Sequence, residues 1–358
     1  MKHHKIHKYI LLAFLSSLAG TSIARIQEEK RKLVDENFSI SDNTEVEVSN
    51  RFGRIDLRNW DKKEVEVKVE IIARGKSDEK AQKILDNIRI EFNETSELLS
   101  IASIIDGKKS KSSGGKDGQD FEINYSIKVP AKNDLILSNS FGDITMEDRT
   151  GRTKVDLNYG SLRAGELSNS NRINISFGKG SIAAVRDGNM ELKYSSLELL
   201  SATTLELEQG FSNIELGDIG DLELESKYGE VEIEKVKDLK GEAHFSGFQI
   251  ENLTSSLDLE CSYLNDFEIE ELSSDFKFIK LEGKFTSLEL HVPENINSEI
   301  EVEMSFGTFR YDDDIETDFN YKVKESNKSI YRGKIGKGDP YREINVDLSY
   351  GNFRLKKY

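Results

Sequence analysis

Along most of the chain, apolar and polar residues alternate in short stretches that each end at an aromatic residue. In residues 155–159, with the sequence VDLNY, the apolar side chains fall at every second position and so share one face of a β-strand. Beyond Tyr159 the apolar positions shift by one, to Leu162 and Ala164. Gly160 lies at this shift, and glycine tolerates a tight bend that keeps both sets facing inward. Each unit is therefore predicted to be two short strands joined by a corner.

The aromatic residue of this pattern recurs at steps of 17 or 18 residues through the middle of the chain, and a small residue follows it in almost every unit. A unit this short cannot bury its apolar face alone, so neighbouring units are expected to stack and share a core. We expect the aromatic side chains to form one internal column. Its members are Phe52, Phe141, Tyr159, Phe177, Tyr194, Phe211, Tyr228, Phe245, Tyr263, Phe285, Phe306 and Tyr350.

The predicted fold is all-β: a single-stranded β-solenoid with 17–18-residue coils, plus one short helix near its N-terminal end. A right-handed winding is favoured, although the pattern itself leaves the hand open. The left-handed hexapeptide helix is excluded because it needs an aliphatic residue every six positions, which this spacing does not supply. An all-β sandwich is the remaining alternative, since short strands separated by turn signals would also suit it. The positions two before each aromatic are mostly apolar or small, so Cys261 is expected to be a buried core residue.

Both ends of the chain depart from the repeat, which we interpret as a single elongated domain over residues 45–358. A helical excursion is predicted at 76–90, with Ser77 as N-cap and one apolar face formed by Ala81, Ile84, Leu85 and Ile88. Residues 106–120 are rich in Gly, Ser and Lys and indicate a flexible loop. Residues 312–341 interrupt the pattern near the C-terminal end. Trp60, the only tryptophan, is interpreted as a packing residue.

The first 24 residues are typical of a secretory signal peptide. Three lysines precede an apolar run over residues 9–19, and Ser22 and Ala24 supply the small residues of a cleavage site. That run is too short to cross a bilayer as a helix, and no later segment is long and apolar enough, so no transmembrane segment is expected in the mature chain. The protein is therefore predicted to be exported, to the periplasm, the outer membrane or the cell surface.

The formal net charge of −16 makes nucleic acid an improbable partner. Cys261 is the only cysteine, so the exported chain must fold without an internal disulfide. Two histidines follow the signal peptide, His244 and His291, and they cannot assemble a zinc site or a histidine-based triad with one cysteine. We predict no catalytic, cofactor-binding or metal-binding residues.

The most informative surface feature is an acidic column three residues before the aromatics. Stacking would place its carboxylates one above another on the outer face. The acidic column consists of Glu191, Glu208, Glu225, Glu242, Glu260, Glu282 and Glu303. It either keeps a polar face soluble or binds divalent cations or a basic partner. A second acidic series lies four residues past the aromatic, or five in the case of Glu268. It contains Glu198, Glu215, Glu232, Gln249, Glu268 and Glu289.

Three stretches carry a family resemblance: RFGRIDLRNWDKKEVEVKVEIIARG, INYSIKVPAKNDLILSNSFGDITMEDRTG and YRGKIGKGDPYREINVDLSYGNFRL. They are similar to the bacterial "putative-adhesin" family of exported β-solenoid proteins of unknown function, which is related to the head domains of autotransporter adhesins. The resemblance spans residues 45 to 358. It implies an exported, non-enzymatic envelope or surface role, and it supplies no catalytic residues.

The predicted function is a non-enzymatic, adhesin-like binding or structural module of the envelope or surface, acting through its acidic lateral face. Its partner would be an unknown protein or glycan, with divalent cations as a further possibility. The alternative is a carbohydrate-active β-helical enzyme acting on polysaccharide. Such an enzyme needs an open cleft of acids and bases, and a strongly negative face would repel an acidic polymer.

Overall fold

The computed structural model describes residues 28–106 and 120–358 of the 358-residue chain. The predicted signal peptide, residues 1–24, lies outside these residues, as does most of the loop predicted at 106–120. The described residues are mostly β-strand with one α-helix, which confirms the predicted all-β class and the short N-terminal helix. All 23 described strands belong to one hydrogen-bonded sheet.

The strands are numbered in chain order. The first are β1 (Glu28–Ser39), β2 (Glu45–Arg51), β3 (Ile55–Asn59), β4 (Glu64–Gly75), β5 (Ile88–Glu94), β6 (Leu98–Ile105) and β7 (Asp120–Val129), with helix α1 (Asp78–Asp86) between β4 and β5. The central strands are β8 (Leu135–Ser140), β9 (Ile144–Met146), β10 (Thr153–Asn158), β11 (Ser161–Ser176), β12 (Lys179–Lys193), β13 (Ser196–Gly210) and β14 (Asn213–Ser262). The last are β15 (Asn265–Leu272), β16 (Phe278–Lys284), β17 (Leu288–Val292), β18 (Asn297–Ser305), β19 (Thr308–Tyr311), β20 (Thr317–Lys324), β21 (Lys328–Gly336), β22 (Glu343–Ser349) and β23 (Asn352–Lys357).

The central strands pair in parallel with the strand one sequence unit away. Leu157 of β10 is opposite Ile175 of β11, which is opposite Leu192 of β12. These partners are separated by 18 and 17 residues, the period of the aromatic pattern. Equivalent positions of successive units are therefore direct neighbours in the sheet. Parallel pairing of this kind does not suit the antiparallel sandwich that the sequence left open.

The core is built from the apolar positions that the alternation predicts. The residues two before each aromatic are buried, as expected. They are Asn50, Asn139, Leu157, Ile175, Leu192, Gln209, Ser226, Ala243, Cys261, Gly283, Met304 and Leu348. Leu162 and Ala164, beyond the corner, are buried as well, so the shift in the alternation does keep both sets inward.

The aromatic side chains are not internal, and this prediction was wrong. All twelve have positive φ angles, between 51° and 66°, so the left-handed turn occurs at the aromatic residue itself. The alternation of inward and outward side chains thus ends one residue before the aromatic, and the aromatic ring points outward instead of into the core. The rings instead form an external aromatic column, in which neighbouring centroids lie 4.7 to 5.2 Å apart and the planes differ by at most 12°. Its members are the twelve residues Phe52, Phe141, Tyr159, Phe177, Tyr194, Phe211, Tyr228, Phe245, Tyr263, Phe285, Phe306 and Tyr350.

The small residue after each aromatic is the one that faces inward. A Cβ atom added to Gly229 would overlap the backbone carbonyl oxygen of Ser212 in the preceding unit. Where serine occupies this position, its hydroxyl can form a hydrogen bond with the backbone of the neighbouring unit. Oγ of Ser212 accepts such a bond from the N–H of Ser195 at 3.1 Å. The corner therefore needs either no side chain or a small hydroxyl that pairs with the neighbouring unit.

The C-terminal strands do not stack in chain order. Strand β22 pairs in parallel with both β16 and β18, and β23 pairs with both β17 and β19. Tyr350 consequently stacks between Phe285 and Phe306 in the aromatic column. Beyond β18, the hairpin of β20 and β21 continues the sheet with antiparallel pairing. At the other end of the chain, β1, β4 and β7 also pair antiparallel.

Helix α1 packs against β1 and β4. The Ser77 side chain accepts a hydrogen bond from the N–H of Lys80, as expected of an N-cap. Ala81, Ile84 and Leu85 are buried on one face. The helix ends at Asp86, however, and Ile88 begins β5, so the fourth predicted apolar residue belongs to a strand. In residues 28–106 and 120–358, no helix combines the length and apolar character that crossing a membrane requires.

Candidate functional site: stacked carboxylates on the outer face

The parallel register brings much of the acidic column together. Glu191, Glu208 and Glu225 are opposite one another on β12, β13 and β14. Glu260 is likewise opposite Glu282. Beyond Glu282 the column no longer follows chain order, because Asp347 of β22 lies between Glu282 and Glu303.

Three members of the acidic column are close to cationic groups, and a fourth, Glu242, is close to a histidine. Glu191 pairs with Lys193 two residues away, and Glu303 pairs with Lys328 on the antiparallel strand β21. Lys280 Nζ lies 3.2 Å from Glu282, and His244 Nε2 lies 3.5 Å from Glu242. Within the described parts of the chain, Glu208, Glu225 and Glu260 have no ion pair. This column is therefore partly neutralised by the protein's own side chains.

Asp347 shows the electrostatic cost of stacking like charges. Partial burial raises the pKa of its carboxyl group, and the neighbouring Glu303 and Glu282 carboxylates raise it further. Lys328 opposes this shift only in part. This contact was hard to predict from the sequence: the motif steps lengthen to 22 and 21 residues here, but chain order places Asp347 far from both glutamates.

Another acidic surface lies beyond the corner, on the second acidic series. It is an open groove of about 390 Å³ whose floor includes Leu199, Leu216 and Ile233. Its exposed carboxylates come from Glu198, Glu215, Glu232, Glu234, Glu251 and Glu270, and we call this set the acidic groove. No Lys, Arg or His of the described residues forms an ion pair with these six. The first three belong to the second acidic series predicted from the sequence, whereas Glu234, Glu251 and Glu270 were not predicted. These three lie two residues beyond positions 232, 249 and 268, on the same outward face.

One group of three potential metal ligands converges in the described residues. A carboxylate oxygen of Glu268, one of Glu289 and an imidazole nitrogen of His291 lie within 4.8 Å of one another. The Glu289 carboxylate already accepts from Lys356 and contacts His291 Nε2 at 2.9 Å. Partial burial raises the pKa of Glu289, but Lys356 and His291 outweigh this effect and hold it below the ordinary value of 4.5. The cluster is an ion-pair network whose central carboxylate is already compensated.

Cys261 and Trp60, the other two residues considered in the sequence, both have contacts typical of structural residues. Cys261 is buried, and burial raises the pKa of its thiol to about 12, which keeps it unreactive at neutral pH. The Trp60 indole N–H donates to the Glu64 carbonyl at 2.7 Å, and the ammonium of Lys62 lies 5.0 Å from the ring centre. The buried position of Cys261 agrees with its interpretation as a core residue, whereas Trp60 is half-buried and its role as a packing residue stays a prediction.

No family model and no curated protein matches the chain. Several solved structures are similar over most of its length at low identity. A "putative cell adhesion protein" from Clostridium sporogenes is 11% identical, over 93% of this chain and 100% of its own, with a TM-score of 0.20. A "putative adhesin" from Bacteroides fragilis is 12% identical, over 91% and 97%, with a TM-score of 0.26. A "putative lipid binding protein" from Parabacteroides distasonis is 15% identical, over 90% and 96%, with a TM-score of 0.25. TM-scores this low do not support assigning the function of any of these three proteins to the chain.

Proposed function

We propose that this protein is a non-enzymatic, adhesin-like binding module of the bacterial envelope or surface, and that its acidic groove binds a basic segment of a partner protein. The observation that carries the proposal is the groove itself, where six exposed glutamates share one concavity without a cationic partner from the described chain. Lys or Arg side chains of a partner would relieve the repulsion among these carboxylates.

We further propose that the repeat winds as a β-solenoid, with a right-handed turn. Support comes from the parallel register, in which equivalent residues 17 or 18 positions apart are neighbours, and from the buried columns that follow it. A wound sheet of this kind presents one long, straight lateral surface. The acidic groove then extends along several units, which suits an extended basic segment better than a single small ligand.

A basic peptide suits the groove better than a divalent cation does. The groove carboxylates do not bring three ligand atoms within 4.8 Å of one another, whereas the only described group that does so, Glu268, Glu289 and His291, is compensated by Lys356. An extended peptide can instead place one cation per unit without drawing carboxylates together. An exported, surface or periplasmic setting supplies such segments on neighbouring envelope proteins.

The test is binding of a fluorescein-labelled oligolysine peptide to the purified chain, measured by anisotropy. We expect the triple variant Glu232→Gln, Glu234→Gln, Glu251→Gln to weaken binding about tenfold, because each substitution removes one carboxylate contact. The matched control is Glu208→Gln, Glu225→Gln, Glu260→Gln, which removes the same charge from the acidic column and should change the affinity little. Equal losses in both variants would show diffuse charge attraction and contradict a groove.

Two further measurements separate this proposal from its rivals. If millimolar calcium raises the melting temperature of the protein, and the groove variant abolishes that rise, the groove is a cation site instead. If the purified protein shortens pectin-like or alginate-like polymers, the carbohydrate-active alternative replaces the binding module.

A further inference from the structure

The external aromatic column leaves an unusually large apolar strip uncovered. Ten consecutive rings, from Tyr159 to Phe306 in the stack, have 45% to 56% of their surface exposed. Since an aromatic side chain presents roughly 150 to 250 Å², the ten expose on the order of 1,000 Å² together. Monomeric soluble proteins seldom leave contiguous apolar patches of more than about 300 to 600 Å². The strip is therefore expected to meet another surface.

The stacking decides which part of each ring that surface can reach. Each ring lies nearly parallel to the next, so the faces are covered by neighbouring rings and the outer edges are exposed. A sugar or a cation that binds by lying on an aromatic face has no free face among the rings from Tyr159 to Tyr350 in the stack. An occupant must fit a row of edges spaced 4.7 to 5.0 Å apart.

The row of edges has a second period. In spatial order the ten rings are Tyr159, Phe177, Tyr194, Phe211, Tyr228, Phe245, Tyr263, Phe285, Tyr350 and Phe306, a strict alternation of tyrosine and phenylalanine. The alternation is a property of the assembled column, because chain order alone would set Phe285 beside Phe306. Within the described residues none of the five tyrosine hydroxyls has a hydrogen-bond partner. The edge therefore alternates between longer and shorter rings.

We propose that two copies of this chain form a two-fold symmetric dimer in which these ten-ring edges meet antiparallel and in full overlap. The row begins with a tyrosine and ends with a phenylalanine, so antiparallel overlap sets every longer ring opposite a shorter one. The opposed pairs are Tyr159 with Phe306, Phe177 with Tyr350, Tyr194 with Phe285, Phe211 with Tyr263, and Tyr228 with Phe245. The symmetry axis then passes between Tyr228 and Phe245.

Area and symmetry both suit this arrangement. The strip is of the size that each partner of a standard stable interface buries, about 800 Å². A two-fold contact needs one patch that is complementary to itself. This row meets that need, because reversing it places a phenylalanine opposite every tyrosine. Parallel overlap without an offset would set tyrosine against tyrosine at five places. The equal ring spacing keeps the two rows in phase along their length.

The test exchanges ring lengths at the axis without removing a ring. Phe245→Tyr sets tyrosine against tyrosine twice in the dimer, and Tyr228→Phe sets phenylalanine against phenylalanine twice. The double variant restores a longer ring opposite a shorter one at every position. In sedimentation equilibrium of the full chain we expect a dimer, a dissociation constant raised about tenfold by Phe245→Tyr through overpacking, and recovery to within about threefold in the double variant.

All variants keep the intramolecular stack, so their melting temperatures at low protein concentration should match that of the parent protein. Raising the salt concentration should tighten the dimer, because each copy carries a net charge of −16. Salt should weaken peptide binding to the acidic groove, so the two interactions can fail independently. A monomer at millimolar concentration overturns the proposal, and so does a double variant as weak as the single one. A monomer whose rings are instead protected by a linear polysaccharide replaces the dimer with a glycan site.

Discussion

At the scale of the residue, the corner joins a strained backbone to a favourable side-chain contact. An aromatic residue with φ near 55° occupies a region that costs roughly 1 to 2 kcal/mol for residues other than glycine. Each ring except the terminal Phe306 contacts two neighbouring rings, and an aromatic pair contributes about 0.5 to 1.5 kcal/mol beyond burial. The stacking therefore offsets the strain, and the two effects can be separated by substitution.

Replacing Phe211 tests this balance. Phe211→Ala keeps the left-handed strain and loses the contacts with Tyr194 and Tyr228, so we expect a loss of about 2 kcal/mol in the free energy of unfolding. Phe211→Gly loses the same contacts but relieves the strain, and should be less destabilising than alanine by about 1 kcal/mol. Urea denaturation measures both. An exposed strand residue, Leu200→Ala, serves as control, and a glycine variant less stable than the alanine variant would contradict the account.

The small residue of the corner gives a second prediction at this scale. Gly229→Ala would push a methyl group into the Ser212 carbonyl of the neighbouring unit, and we expect a loss of about 3 kcal/mol or more, typical of overpacking. Gly210→Ala is the matched control, because a Cβ atom there meets nothing within 4 Å. Its thermal midpoint should stay within about 2 °C of the parent value. Similar losses in both variants would contradict a specific backbone contact.

At the scale of the element, insertion of strand β22 places the Asp347 carboxylate between those of Glu282 and Glu303. The folded-state pKa of Asp347 is raised, so the fold is stabilised while this carboxyl is protonated and loses that contribution as the pH rises through the raised pKa. At pH 7 the charged form therefore opposes folding. The opposite case is Asp238, where hydrogen bonds from Lys237 and Ser256 outweigh the effect of partial burial and lower the pKa.

Asp347→Asn should accordingly stabilise the protein at pH 7, by only on the order of 0.5 kcal/mol, because the side chain is partly buried and solvent screens much of the repulsion. The gain should shrink below the ordinary Asp pKa of 3.8, where both states are protonated. Asp238→Asn is the matched control and should be destabilising at pH 7, with an effect that fades on acidification. Thermal unfolding followed from pH 3 to pH 8 measures both slopes. A destabilising Asp347→Asn variant at pH 7 would contradict the assigned neighbours.

Element by element, the sequence predicted the strands better than the corners. Alternation around Leu157 identified the inward positions, because a side-chain period of two is visible in one chain. The outward direction of the rings was mispredicted because a tyrosine or phenylalanine, such as Tyr194, does not by its residue type indicate a left-handed backbone. Bulky residues rarely adopt it, so the pattern favoured the common conformation. The groove residue Glu251 was missed for a simpler reason, since charged residues occupy many outward positions.

At the scale of the whole molecule, the order of strands in the sheet could not be predicted from chain order. The recurrent motif placed Phe285 next to Phe306, and the intervening Tyr350 lies more than 40 residues further along the chain. Only the backbone pairing of β22 with both β16 and β18 settles this arrangement. The same pairing makes the end of the sheet depend on a distant segment.

Val346→Asp tests that dependence. Val346 is buried on β22, and a charge there should displace the strand from both partners. We expect rapid amide hydrogen exchange in β16 and β18 while β10 to β13 keep their protection, because stacked units couple mainly to their neighbours. Glu343→Gln, at an exposed position of the same strand, is the control. Uniform loss of protection along the chain would show that the sheet unfolds as one unit instead.

Insertion of β22 and β23 also has a kinetic consequence. Strands β10 to β13 have both of their partners within a few dozen residues, whereas β16 has only β14 nearby and finds its second partner in residues 343–349. Before β22 is in place, we expect the free edge of β16 to pair directly with β18, in a register that later has to open. Refolding should therefore show a fast phase for the central units and a slow phase that reports on the release of this premature pairing.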